Sequence, residues 1–162
     1  MNQRKRITAI LLILAMALAG FTAAAEEEPE TIELIIEGEE LTINTAALTE
    51  EPVFIDWAWE EIPMQLIARK DAEGQVRLAF NTCRSCNGSP WAWFEYLGDE
   101  KLQCQNCGQI LPIRLVGDEE AIGCAPIPLP EYMENEDGTV TVPEHVFEEA
   151  AHLFTNWRKT GK

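Results

Sequence analysis

Basic residues are scarce: 12 lysines and arginines stand against 28 aspartates and glutamates, giving a net charge of −16 over 162 residues. A surface of that sign repels phosphate backbones, so nucleic acid is a poor partner, and the ordinary meaning of such an excess is solubility. Histidine is scarcer still. The two present, His145 and His152, are seven residues apart. On a helix they would share a face yet lie about 10.5 Å apart along the axis, too far to hold one metal ion. They read as partly exposed polar residues. The chain offers no Ser-His-Asp set, phosphate-binding loop or paired-carboxylate geometry, so hydrolase and kinase chemistry lack support. Apart from two cysteine pairs there is no internal repeat. Long apolar runs are missing too, with one exception at the N-terminus.

That exception starts "MNQRKR", carrying Arg4, Lys5 and Arg6, and runs into "ITAILLILAMALAGF". "TAAAEEE" follows, with Ala23-x-Ala25 directly before acidic residues. This is the layout of a secretory signal peptide covering residues 1–25. Left uncleaved, Ile7 to Ala25 is just long enough to anchor in a bilayer. A lipid-modified terminus is disfavoured, because Phe21 stands where the modified cysteine would be needed. Removal of the leader takes three basic residues and no acids, so the net charge falls from −16 to −19. The expected location is extracytoplasmic, with membrane contact only through an uncleaved leader. Residues 26–30 form an acidic linker, and 31–160 suffice for one domain with a modest core.

Within that domain "TIELIIEG", "ELTINTAAL" and "PVFIDWAWEEIPMQLIARKDAEGQVRLAF" read as strands, with Phe54, Trp57 and Trp59 as bulky strand residues. "WAWFEYLGDEKLQC" reads as two short strands turning at Gly98-Asp99, with Trp91 and Trp93 on a buried strand face or shielding a site. "PIPLPEYMENEDGT" is expected as loop, since three alternate prolines cannot sustain a ladder. From Pro143 and Glu144 the signals switch to a helix. Val146, Phe147, Ala150, Ala151, Phe154 and Trp157 fall on one face of it. The expected fold is α+β: a small β-rich domain with a ribbon-like site and one C-terminal amphipathic helix.

Cysteine carries the chemistry. Cys83 and Cys86 form one Cys-x-x-Cys pair and Cys104 and Cys107 a second, seventeen residues on. Each pair on a tight turn aims two sulfurs at one centre, and the spacing lies in the range of ribbon-type metal sites. Gly88 and Gly108 stand where a knuckle turn wants freedom of φ. Zinc would be structural in a closed four-thiolate site. Iron, single or in a cluster, uses the same sulfurs and adds electron transfer. Disulfides fit an exported chain. Thiol–disulfide exchange is the weakest use, because Pro90 and the aromatic run oppose a helix directly after Cys86. Cys124, between Gly123 and a proline-locked loop, is the odd thiol: a small buried hydrophobe, or a part of the site.

The order "AFNTCRSC", aromatic hairpin, "CQNCG", "GCAPIPLP" resembles the FtrD-like family of membrane iron–sulfur proteins over roughly residues 50 to 155. The last segment discriminates most, since ribbon folds in general have no reason to end in Gly-Cys-x-Pro-Ile-Pro. The resemblance implies an extracytoplasmic domain that binds iron or an iron–sulfur cluster, with a membrane iron permease or a redox protein as partner. It assigns Cys83, Cys86, Cys104 and Cys107 to the paired cysteines and Cys124 to the fifth. Two features depart from the pattern. Larger relatives carry this domain after several membrane spans, where this chain has only the leader, and they favour aspartate where it has Asn81.

Overall fold

The computed structural model describes residues 34–37 and 40–159; the leader and the acidic linker lie outside the described residues. Among the described residues eleven strands form three antiparallel sheets, and with one short C-terminal helix they make the expected β-rich α+β fold. The first sheet holds β1 (Leu34–Glu37), β2 (Glu40–Asn44), β10 (Met133–Glu134) and β11 (Thr139–Val142), in the order β1-β2-β11-β10. The central sheet runs β3-β4-β5-β9: Val53–Trp59, Ile62–Lys70, Val76–Cys83 and Pro126–Pro128. The third is the ribbon of β6 (Phe94–Gly98), β7 (Lys101–Cys104) and β8 (Ile110–Pro112).

The central sheet is covered on both faces, which explains why its strands read as nearly continuous apolar runs. Met64, Leu66 and Ala68 of β4 and Val76, Leu78 and Phe80 of β5 face one core, built with the first sheet and the C-terminal helix. Ile67, Ala79 and Cys83 point the other way, into a second core with Phe94, Leu102, Leu111, Ile113 and Val116. Side chains two apart on a strand share a face, so Ala79 and Cys83 enter the same layer. Cys83 is thereby fixed at the end of β5, against the ribbon that brings Cys104.

The segment expected to be loop contains two short strands, β9 and β10. β9 succeeds despite its prolines because it is an edge: Ile127 pairs with Phe80, and a bulge separates that pair from Cys83 and Pro126. Bonds that proline cannot donate come from its flanks. Leu129 N–H donates to the Leu78 carbonyl (3.2 Å), and Arg84 N–H donates to the Ala125 carbonyl (2.9 Å). Cys124 is therefore tied to the end of the central sheet.

The C-terminal helix is shorter than its apolar stripe suggests. α1 covers Glu144–Ala150 and tightens into a 3-10 turn over Ala151–Phe154. Val146, Phe147, Ala150, Phe154 and Trp157 are buried as expected, while Ala151 is half-buried. Tertiary bonds take over where the helix stops. The Leu153 carbonyl accepts from Asn87 Nδ2 (3.0 Å), Trp157 Nε1 donates to the Asn81 carbonyl (2.8 Å), and Arg158 N–H donates to the Pro90 carbonyl (2.9 Å). The chain end thus docks on the first cysteine turn. No helix among the described residues is long and apolar enough to cross a membrane.

Candidate metal centre

Two turns and one loop deliver the cysteines. Cys83 ends β5, its N–H bonded to the Ala92 carbonyl (2.8 Å), and the Cys86 carbonyl accepts from Ser89 N–H (3.1 Å). Cys104 ends β7, and Gly108, at φ 72°, donates its N–H to the Cys104 carbonyl (2.8 Å). That left-handed φ suits glycine and closes the second knuckle. The backbone N–H groups of Cys107 and Asn106 favour the Cys104 thiolate, and that of Gln109 favours the Cys107 thiolate. Ser89 Oγ donates to Asn106 Oδ1 (2.6 Å), joining the two knuckles. Arg84 Nη1 holds the Ala121 carbonyl (2.6 Å) and so pins the loop that carries Cys124.

All five sulfurs gather in one place. Cys83 lies 3.4 Å from Cys124, Cys124 lies 3.7 Å from Cys107, and Cys104 lies 3.9 Å from Cys86. The sulfurs of Cys83, Cys104 and Cys124 are mutually within 4.8 Å, as are those of Cys86, Cys104 and Cys107. Cys104 is therefore within 4.8 Å of each of the other four. Thiolates bound at about 2.3 Å to a tetrahedral ion are separated by about 3.8 Å. The donor set and its spacing fit a thiophilic metal ion. All five cysteines are free thiols.

The protein grades their environments. Cys83 and Cys104 are buried, Cys86 and Cys124 half-buried, and Cys107 exposed. Burial pushes the Cys104, Cys86 and Cys124 thiols up; the nearby Cys83 sulfur adds to the rise at Cys124. Cys107 moves the other way, because the Gln109 N–H stabilises its thiolate.

Beneath the site lies a polar network that sequence reading missed. Asn81 is fully buried; its Nδ2 donates to Gln65 Oε1 (2.7 Å) and to the Phe94 carbonyl (3.2 Å), and its Oδ1 accepts from Phe94 N–H (2.8 Å). Gln65 Nε2 in turn donates to Asp56 Oδ1 (2.7 Å). These bonds clamp the central sheet to the ribbon two residues before Cys83. The available signal was a polar residue interrupting the apolar strand "VRLAFNTC".

The tryptophans correct an expectation. β6 begins only at Phe94, so Trp91 and Trp93 lie in the turn before it, and Trp91 is 49% exposed. Trp93 packs on the first core under the Arg158 guanidinium, 4.3 Å from the ring centre. His145 and His152 are exposed, bonded to Glu131 and to the Glu149 carbonyl, outside the sulfur cluster. A cleft of about 430 Å³ lies among Arg69, Arg77, Arg114, Asp71, Asp118 and Glu119 and includes no cysteine. Its charges are mixed, and Arg77 is already paired with Asp71 at 2.8 Å.

Residues 49–154 match the family described as "Membrane iron-sulfur containing protein FtrD-like". The chain belongs to the FtrD-like family. The match takes in both knuckles, the Cys124 loop, the central sheet and the C-terminal helix, so the family's shared segment is the unit that positions the sulfurs. No curated protein and no solved structure matches the chain.

Proposed function

We propose that this chain is an exported iron-binding protein whose ligands are Cys83, Cys86, Cys104, Cys107 and Cys124, serving transition-metal uptake or electron transfer in the cell envelope. The observation that carries the reading is the convergence of all five sulfurs at thiolate-ligand spacing in an FtrD-like chain. Iron held by these thiolates, alone or in a cluster, supplies one-electron chemistry. The chain's own residues do the rest. The knuckle N–H groups stabilise thiolate charge, the second core excludes water from Cys83 and Cys104, and Cys107 leaves the site open on one side. Cys107 is where a membrane permease or redox protein would reach the metal. The basic leader and its Ala23-x-Ala25 end support export.

The test is elemental analysis and visible absorption of protein purified from its natural compartment without added metal. Iron with thiolate-to-metal absorption bands supports the reading. A colourless protein holding only zinc makes the site a structural clamp of the second core, in which Cys83 and Cys104 are already embedded.

A further inference from the structure

The five sulfurs outnumber what one tetrahedral ion uses, and their arrangement divides them. One triad is Cys83, Cys104 and Cys124; the other is Cys86, Cys104 and Cys107. Cys104 is common to both, it is buried, and it is the only sulfur shown to be near all the rest. Each remaining sulfur has a place in one triad. The second knuckle pair stays together with Cys86 added, while Cys83 is grouped with Cys124, which is distant in the chain.

We propose that this site holds two metal ions at once, with the Cys104 sulfur bridging them. The inference rests on the metal-binding reading above and extends it from one ion to two. Cys83 and Cys124 complete the thiolate set of one ion, and Cys86 and Cys107 that of the other. Charge favours the double occupancy. Five thiolates bring −5 into a half-buried cluster on a strongly acidic protein; one divalent ion leaves −3 and two leave −1. At the seam the Cys124 and Cys107 sulfurs are 3.7 Å apart, a hydrogen-bond contact while they are thiols and a repulsive one once both are metal-bound thiolates, which a cation on each offsets. Each ion has three thiolates, so one coordination position per ion is left for an exchangeable ligand, as a site that passes metal or electrons requires.

The experiment uses the full mature chain, reduced and anaerobic, titrated with Fe²⁺ and, separately, with Zn²⁺, and read by native mass spectrometry. The wild-type protein is expected to saturate at two ions per chain. Cys107→Ser and Cys124→Ser, which alter the exposed and a half-buried ligand, are each expected to retain one ion, and the double variant none. X-ray absorption on the two-ion form should show a metal–metal vector near 3.3–3.8 Å, the span across one bridging sulfur with bonds of about 2.3 Å. Saturation at one ion, with Cys124→Ser unchanged, overturns the shared-thiolate arrangement while leaving the metal-binding function standing. Two irons accompanied by acid-labile sulfide also overturn it, because sulfide and not Cys104 would then join them. No binding of either ion removes the underlying function as well.

Discussion

Replacing Asn81 with aspartate should test how the ribbon is clamped to the central sheet. The exchange keeps shape and volume but removes the Nδ2 donor. Gln65 Oε1 and the Phe94 carbonyl, 2.7 and 3.2 Å from that nitrogen, would both face a carboxylate oxygen. Gln65 cannot turn its amide round without setting its oxygen against Asp56, to which Nε2 now donates at 2.7 Å. Gln65 Oε1 keeps a bond from Arg158 Nη2 (3.4 Å), so the Phe94 carbonyl is the acceptor left unmet; at about 1–3 kcal/mol for such a group, Asn81→Asp should lose about 1–3 kcal/mol at pH 8. The site is fully buried, so the introduced carboxyl has a folded pKa above its unfolded value of about 3.9. The deficit is therefore smallest below about pH 4, where the group is protonated in both states. It grows as pH rises and levels off above the folded pKa. Urea unfolding of metal-free, reduced protein from pH 4.5 to 8 measures both magnitude and slope. A variant as stable as wild type at pH 8, or one that gains stability with rising pH, would refute the assignment of Asn81 as a donor.

Two further outcomes follow from packing and exposure. Phe154 is fully buried, edge-on to Phe80 and Trp157 with ring centres 5.6 Å away in both cases, so Phe154→Ala should cost about 3–5 kcal/mol in urea unfolding. A loss under 1 kcal/mol would mean that the C-terminal helix is not part of the first core. In metal-free, reduced protein Cys107 should react first with iodoacetamide, being the exposed thiol and the one whose thiolate the Gln109 N–H favours. Peptide mapping that finds Cys83 or Cys104 labelled first contradicts the burial order.

Much of the sulfur geometry was legible because spacing and glycine dictate it locally. Two Cys-x-x-Cys turns with Gly88 and Gly108, joined by a hairpin turning at Gly98, bring their sulfurs together whatever surrounds them. The place of Cys124 was also readable, since Gly123 and the following prolines fix its approach. What spacing could not show is the grouping of Cys83 with Cys124, which lie 41 positions apart in the chain and meet because β9 pairs with β5. The same non-local pairing turned an expected loop into an edge strand. The helix was misjudged in length for a similar reason: its apolar stripe continues to Trp157, but bonds to Asn81, Asn87 and Pro90 replace helical ones after Ala150. The two-layer core hides behind continuous apolar strands, whose period cannot say that both faces are covered. Trp91 shows the limit from the other side, a large aromatic residue that the fold leaves half in solvent.

The most direct measurement is iron K-edge X-ray absorption on protein isolated without added metal, with zinc measured on the same sample. An iron site whose first shell is mainly sulfur at about 2.3 Å, lost when Cys104 is replaced by serine in a variant that still folds, is the expected result. A first shell of nitrogen or oxygen, or zinc in place of iron, would contradict it.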